Sequence, residues 1–204
     1  GLTYPCTIGV YNNDFKNIRY PYGQPAVLND SAIIAMSNNS WGAAIYAGGW
    51  YDNQLLTVNV DNTIADPPAR MVNCDIGVGS NNANMNITHC DIENTTLGII
   101  NSSIAPEQYS VQDNVINNVH LGVGQYGGIA STNIANNIVN TRYTQSVASV
   151  ANGTVYRSPI AIDIRHGLSE YNPTGGFYNN IIGNNIAVNA KVGVGILSLS
   201  SDRH

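Results

Sequence analysis

Three chemically capable side chains, Asp163, Arg165 and His166, fall within a run of four residues. If the flanking isoleucines face the core of a strand, Asp163 and Arg165 share its outer face, with His166 at the turn beyond. A guanidinium can neutralise a substrate carboxylate, and an imidazole can accept a proton. The trio could therefore perform acid–base chemistry, helped by a carboxylate such as Glu170 or Asp91. The alternative is a surface ion pair that contributes about 0–1 kcal/mol to stability.

A second group of acids contains Asp91, Glu93 and Asp113, which a repeat of about 24 residues would bring onto neighbouring strands. Hydrolysis of a glycosidic bond needs two carboxylates, about 5–5.5 Å apart for retention and about 6.5–9.5 Å for inversion. The alternative for each acid is a solvated outer residue or a turn cap. No set of carboxylates converges at the spacing of a calcium site, so we predict neither a metal nor a cofactor.

The aromatic residues are unevenly chosen, with 12 Tyr against 2 Phe. Tyrosine and tryptophan combine an apolar ring with a polar tip, which suits a wet surface that stacks against sugars. The alternative is that these rings close a loop over the fold or pack against a neighbouring subunit. The predicted substrate-binding residues are Trp41, Tyr46, Trp50, Tyr51, Tyr143, Tyr156 and Arg157.

A repeated motif must position these side chains. It reads apolar-x-x-Asn-x-apolar-x-Asn, and its copies span residues 10–17, 55–62, 87–94, 111–118, 134–141 and 182–189. Alternating apolar residues match the period of a strand, and asparagine suits turns because it tolerates left-handed backbone conformations. Repeats of about 24 residues fit three short parallel strands per coil of a solenoid. Ile92, Ile116, Val139 and Ala187 should form one inner column, bordered by turns at Asn118 and Asn189.

Composition excludes several classes of function. Charged residues are 10% of the chain and the net charge is −5, so no basic surface is available for nucleic acid. No apolar run is long enough to span a bilayer. Three cysteines without a C-x-x-C motif favour neither a disulfide framework nor a zinc site.

The repeats resemble those of the right-handed parallel β-helix superfamily, which includes pectate lyases, polygalacturonases and bacteriophage tailspikes. The resemblance covers roughly residues 8–18 and 55–199, and it implies an all-β fold in which a single chain winds as a right-handed parallel β-helix. The chain most resembles the body of a tailspike or capsule depolymerase. That resemblance implies a homotrimer, located in the virion tail or outside the cell, that binds a bacterial surface polysaccharide.

Three interpretations of function remain open. The first is a tailspike-type β-helix that binds and cleaves polysaccharide, acting as a glycoside hydrolase or as a lyase. The second is a non-catalytic structural or adhesive β-helix of a virion shaft or a bacterial surface protein, and the third is a secreted polysaccharide lyase. If the site at Asp163 and Arg165 is catalytic, Asp163→Asn and Arg165→Ala should abolish cleavage with little change in melting temperature.

The domain organisation follows from the repeats. We expect one β-helix domain over residues 1–204, an excerpt of a longer chain, with loop insertions at about 19–54, 63–84 and 142–176. The last insertion is long enough to contain a degenerate coil. Outward positions in the later copies are apolar, at Val115, Ile138, Ile186 and Val188, where earlier copies carry charge. Such an apolar stripe is expected to be shielded from water, either by the long third insertion or by another subunit. We favour a homo-oligomer, and among homo-oligomers a trimer.

Overall fold

A computed structural model describes residues 6–22, 28, 30–48, 56–63, 69–102, 107–126, 130–142, 159–166 and 180–198. These residues form eighteen strands and one helix, α1. The elements in chain order are β1 (Cys6–Tyr11), β2 (Phe15–Lys16), α1 (Asp30–Asn38), β3 (Ala43–Gly48), β4 (Leu56–Asp61), β5 (Arg70–Val72), β6 (Ile76–Asn81), β7 (Asn84–Thr88), β8 (Asp91–Glu93), β9 (Leu97–Ser102), β10 (Glu107–Gln112), β11 (Val115–Val119), β12 (Leu121–Tyr126), β13 (Ala130–Ala135), β14 (Ile138–Thr141), β15 (Ile160–His166), β16 (Asn180–Gly183), β17 (Ile186–Val188) and β18 (Val192–Ser198).

The strands form three parallel sheets of six, and each coil contributes one strand to each sheet. The first sheet has the order β1-β4-β7-β10-β13-β16, the second β2-β5-β8-β11-β14-β17 and the third β3-β6-β9-β12-β15-β18. The described residues therefore form a right-handed parallel β-helix of six coils, and the predicted fold class is confirmed. We call the turn between the first and second sheets the first corner, and the turn between the second and third sheets the second corner.

The predicted inner column is present in the second sheet. Ile92 pairs with Ile116, Ile116 with Val139 and Val139 with Ala187. The first three side chains are buried, whereas Ala187 is exposed because no described coil lies above the sixth. Asn118 and Asn189 have φ of 55° and 57°, so both are turn residues in the left-handed region, as expected. Stacking of coils, rather than any single coil, buries this column.

A second column, made of asparagines, runs inside the first corner. Asn114 Nδ2 donates to Asn137 Oδ1 at 2.9 Å, and Asn137 Nδ2 donates to Asn185 Oδ1 at 2.8 Å. The same carbonyl oxygens accept the backbone N–H of the preceding coil, at 3.1 and 2.9 Å. Each buried amide thus satisfies the corner's backbone while bonding to the next coil. This ladder explains the first asparagine of the sequence motif.

Cys90 interrupts the ladder. It lies between Asn62, whose Nδ2 is 4.0 Å from the thiol, and Asn114, whose Oδ1 accepts the Cys90 backbone N–H at 2.9 Å. Burial raises the pKa of the Cys90 thiol to about 12, so the group stays neutral. A thiol is a weak partner for the amide of Asn62, and the ladder is weakest at this coil.

Replacing Cys90 with asparagine should therefore stabilise the protein. The new amide would accept from Asn62 and donate to Asn114, and a net hydrogen bond is worth about 0.5–1.5 kcal/mol. The midpoint of urea unfolding should rise without a change in slope. Cys90→Ala serves as the control, since it removes the thiol and adds no amide. An asparagine variant less stable than the alanine variant would contradict the ladder.

The repeat spacing assigns the second copy of the motif to the wrong frame. Val60, rather than the residue at position 55, pairs with Val10 on one side and with Ile87 on the other. In the second coil, the inner-column position of the second sheet is occupied by Met71, which pairs with Ile92. The displacement is five residues: eight residues separate β4 from β5, whereas two separate the corresponding strands of the third to sixth coils, so the fixed spacing of the motif fails in this coil.

The three interruptions contain regular strands. Strand β3 lies within residues 19–54, β5 and β6 within 63–84, and β15 within 142–176. β15 pairs with both β12 and β18, so it supplies the third strand of the fifth coil. Between residues 142 and 176, the described residues contain no further coil.

The third sheet packs on both of its faces. Helix α1 begins at Asp30, a residue type favoured at helix N-termini, and buries Ile33 and Met36 against the outside of this sheet. The helix and the outer face of this sheet share an outer apolar cluster, which comprises Leu28, Ile33, Met36, Ile76, Leu97, Ile100, Leu121, Tyr126 and Ile160.

Among the described residues, no helix could cross a membrane.

A glycine lets the coils stack tightly at the start of the third sheet. Gly98 follows Leu97, which pairs with Leu121 of the next coil. A Cβ at Gly98 would lie 2.5 Å from the Gly122 carbonyl oxygen and 2.8 Å from Ile116. The repeated apolar-Gly-apolar triplet of the sequence is therefore a close-contact position.

Candidate functional site

The predicted site at Asp163 lies inside the protein. Its carboxylate is fully buried, although the flanking Ile162 and Ile164 also face the core as expected. Tyr126 donates a hydrogen bond to Asp163 Oδ2 at 2.5 Å, and Arg165 Nε lies 2.9 and 3.1 Å from the two carboxylate oxygens. The ion pair is therefore not the exposed one considered from sequence, since 16% of the Arg165 side chain and none of the Asp163 side chain is accessible.

Two residues proposed alongside Asp163 cannot be placed beside it. The backbone of His166 ends β15, but its side chain lies outside the described residues. Glu170 lies outside them altogether.

The acids of the second group do not act as one patch. Arg70 Nε donates to Asp91 Oδ2 at 2.9 Å, and Arg70 Nη2 bonds to Glu93 Oε2. The pKa of Arg70 is raised, chiefly by the charge of Asp91. Asp113 instead occupies the first corner, with φ of 56° and an exposed side chain. Asp91 and Glu93 are thus tied to one guanidinium, and Asp113 does not join them.

The predicted aromatic residues that the structure describes, Tyr46 and Trp41, do not form one cluster. Tyr46 lies against helix α1, where its hydroxyl donates to the Asn38 carbonyl at 3.1 Å, and burial raises its pKa. Trp41 instead faces the second corner. The other predicted binding residues, Trp50, Tyr51, Tyr143, Tyr156 and Arg157, lie outside the described residues.

Trp41 belongs to a cluster of three rings that we call the aromatic corner: Tyr20, Tyr22 and Trp41. The Tyr20 and Trp41 rings are stacked, with centroids 4.5 Å apart and planes inclined by 11°. Tyr22 meets Tyr20 edge-to-face at 5.4 Å, and 86% of Tyr22 is exposed. Trp41 also packs against the outer apolar cluster, which anchors the group to the third sheet.

A buried carboxylate, Asp75, holds the aromatic corner in place. Its Oδ2 accepts the backbone N–H of Tyr20 at 2.6 Å, and its Oδ1 accepts Arg19 Nη1 at 2.9 Å. Its own backbone N–H bonds to the carbonyls of Ile18 and Gly42, each at 3.0 Å. Asp75 therefore joins the segment after β2 that carries Tyr20 to the turn that carries Trp41.

Gly42 makes this junction possible. Its φ is +58°, and a Cβ there would collide with the Asp75 carboxylate. Glycine adopts this conformation without the strain that other residues incur. The local backbone, and not only side-chain packing, sets the position of Trp41.

A ladder of asparagines lines the same corner on its outside. Asn73 Nδ2 donates to Asn17 Oδ1 at 3.2 Å, Asn94 bonds to Asn73, and Asn118 Nδ2 donates to Asn94 Oδ1 at 2.9 Å. Arg142 lies across the last two steps: Nε donates to Asn118 Oδ1 at 3.0 Å, and Nη2 to Asn94 Oδ1 at 2.9 Å. The second corner thus carries both aromatic rings and guanidinium groups.

Sequence reasoning found Trp41 but missed Tyr20, Tyr22, Arg19 and Asp75 as partners. The Tyr-Pro-Tyr-Gly run at 20–23 is a visible signal, since two tyrosines flank a turn residue beside a coil end. Nothing in the sequence marks Asp75, because its contact with Tyr20 spans 55 residues.

Comparisons with known protein families, curated proteins and solved structures found no match to this chain. Within the described residues, no group of three or more His, Cys, Asp or Glu side chains is arranged to hold a metal ion. The site must therefore be interpreted from its own geometry.

Proposed function

We propose that this protein is a carbohydrate-binding parallel β-helix of the phage tailspike kind, which recognises a bacterial surface glycan at the aromatic corner. The observation that carries the proposal is the stacked pair Tyr20–Trp41 with Tyr22 projecting beside it. Sugar rings present apolar C–H faces that pack on aromatic planes, while tyrosine hydroxyls and the indole N–H can bond to sugar hydroxyls.

The setting of the rings supports binding rather than packing alone. Tyr22 is almost wholly exposed, so its ring contributes little to the core. Asp75 and Gly42 fix the neighbouring backbone, so the stacked rings are held before a ligand arrives. A preorganised surface loses less conformational entropy on binding, which favours affinity.

The alternative is a structural or adhesive β-helix without catalysis, and the position of the acids favours it over cleavage. Asp163 is buried, and Asp91 and Glu93 are bound to Arg70. Incubation with capsular polysaccharide or lipopolysaccharide separates the interpretations. Shorter oligosaccharides would indicate an enzyme, and an ultraviolet-absorbing unsaturated end would indicate a lyase rather than a hydrolase.

Binding itself can be tested on an array of bacterial glycans. The wild-type protein should bind at least one glycan, and Tyr22→Ala should lose most of the signal while keeping its melting temperature, because Tyr22 is exposed. Tyr11→Ala is the matched control, since Tyr11 is 54% exposed on the first coil and lies outside the cluster. Equal loss in both variants, or no binding by the wild-type protein, would contradict the proposal.

We further propose that the chain assembles through the second sheet, as a trimer located in a virion tail or on a cell surface. Val115, Ile138 and Ile186 stack in register on its outer face, and all three are exposed together with Val188. A contiguous exposed apolar stripe usually marks an interface. In a parallel assembly each of these residues would meet its own copy across the symmetry axis.

Light scattering tests this assembly. We expect a mass above that of the monomer of 21.8 kDa, and Ile138→Glu should lower it by placing like charges against one another at the interface. Thr88→Glu, on the polar face of the first sheet, is the control and should leave the mass unchanged. A wild-type monomer would overturn the proposal.

A further inference from the structure

We infer that the aromatic corner selects a saccharide that carries a carboxylate, which Arg142 binds with Arg19 beside it while the sugar ring packs on Tyr20, Tyr22 and Trp41. This inference rests on the proposed carbohydrate binding and adds the chemical class of the ligand.

The first observation is that no described carboxylate compensates the charge of Arg142. Its guanidinium donates to four oxygens, and all four are neutral: Asn118 O at 2.8 Å, Asn118 Oδ1 at 3.0 Å, Asn94 Oδ1 at 2.9 Å and Thr95 O at 3.5 Å. Among the described residues, no carboxylate bonds to Arg142. A half-buried cation without a counter-ion attracts an anion, and the guanidinium fork matches a carboxylate.

The second observation places Arg19 nearby. Arg19 bonds to Asp75, whose carbonyl accepts the N–H of the residue that follows Thr95, and the Thr95 carbonyl accepts from Arg142. Partial burial lowers the pKa of Arg142, and the positive charge of Arg19 lowers it further. Asp75 balances Arg19 through the 2.9 Å pair, which leaves one net positive charge on the two guanidinium groups and Asp75. A bound carboxylate would reduce the repulsion between the two cations and would give Arg142 a negatively charged partner.

The third observation connects these cations to the rings. Arg142 Nη2 contacts the Thr95 carbonyl, and the next residue, Thr96, donates its N–H to the Asp75 carbonyl at 3.1 Å. Asp75 in turn holds Tyr20 and Arg19. The second corner therefore carries the rings and Arg19 on the first coil and Asp75 on the second, while Arg142 reaches back from the fifth coil to the third. Successive coils are about 4.8 Å apart in a β-sheet.

The positive charge of the second corner contrasts with the net negative charge of the chain. The chain has a net charge of −5, so an acidic glycan would be repelled by the protein as a whole. Among the other described cations, Arg70 is paired with Asp91 and Glu93, Lys16 with Asp14 at 2.7 Å and Arg165 with Asp163, whereas Lys191 is exposed in the second corner of the sixth coil. The second corner is thus where an acidic sugar finds positive charge that is not fully balanced.

Arg142 also bonds to the asparagine ladder, so a purely structural role is the competing explanation. The ladder needs the N–H donors of Arg142, whereas ligand selection needs its charge. Salt weakens the attraction between charges but has little effect on hydrogen bonds between neutral groups. The salt dependence of binding therefore separates the two roles.

The test uses the glycan array with every acidic glycan paired with a counterpart whose carboxyl groups have been reduced to alcohols. We expect wild-type binding to acidic glycans, a loss on the order of tenfold or more on carboxyl reduction, and weakening by salt of the acidic glycans alone. Arg142→Gln should remove the preference while keeping residual binding to the reduced glycans. Arg142→Lys, which keeps the charge, should retain part of the preference.

The outcomes separate this inference from the proposed function. Equal binding of acidic and reduced glycans would overturn the acid selectivity and leave carbohydrate binding intact. No binding to any glycan would overturn the proposed function, and the inference with it. If Arg142→Gln fails to fold by circular dichroism, the salt dependence of the wild-type protein decides, and a salt-independent preference for acidic glycans would overturn the role of Arg142.

Discussion

Replacing Ile116 with aspartate should unfold the protein at ordinary temperatures, with a loss of stability on the order of 5 kcal/mol. Ile116 is fully buried between Ile92 and Val139 in the inner column. A carboxylate there would be desolvated with no cation inside the column to pair with it. The loss would reach both neighbouring coils, since each coil depends on the next for burial. Thermal and urea unfolding measure it directly.

Asn86→Asp is the matched control. Asn86 precedes the buried Ile87 on β7 but faces outward on the first sheet, where it is exposed and pairs with Asn59 of the preceding coil. A charge at this position stays hydrated, so the cost should be below about 1 kcal/mol. An Ile116→Asp variant as stable as Asn86→Asp would contradict the stacking of the coils.

Arg165→Ala should produce the second large effect, a loss of about 3–5 kcal/mol. Asp163 is fully buried, and removing Arg165 would take away the guanidinium that bonds to both of its carboxylate oxygens. The sequence predicts little change in melting temperature for this variant, whether the site is catalytic or the two residues form an exposed ion pair. Burial reverses that prediction, and differential scanning calorimetry would measure the difference.

Lys16→Ala provides the control for the ion pair. Lys16 lies 2.7 Å from Asp14, but both side chains are more than half exposed, at 59% and 51%. Such a pair contributes about 0–1 kcal/mol, so the variant should unfold close to the wild-type temperature. Similar losses from Arg165→Ala and Lys16→Ala would mean that Asp163 is hydrated in solution. Assaying glycan cleavage on the same Arg165→Ala sample would separate loss of fold from loss of chemistry.

The coil architecture could be predicted because each coil carries a short residue pattern that defines its strands and corners, and the pattern repeats along the chain. The spacing of Asn114, Ile116 and Asn118 encodes a corner, an inner column and a second corner, and the same spacing recurs coil after coil. Each copy supports the interpretation of the others, which is why the fold followed from sequence while the frame of the copy at 55–62 did not.

The candidate site could be predicted only in part, because its contacts join distant segments. Trp41 was identified from its residue type, but its stacking on Tyr20 depends on Asp75 and on the turn at Gly42. The burial of Asp163 likewise depends on packing outside the third sheet, which a strand period does not reveal. Residue type and spacing predict which face a side chain occupies, but not what covers that face.

Fluorescence of Trp41 tests most directly whether a saccharide binds at the aromatic corner. In a Trp50→Phe background, Trp41 is the single tryptophan of the chain. Titration with a glycan that binds on the array should change its emission in a saturable way, because the sugar would replace water against the stacked rings. Tyr22→Ala should weaken this titration, and Tyr11→Ala should leave it unchanged. A glycan that binds the protein without altering the emission of Trp41 would contradict binding at this corner.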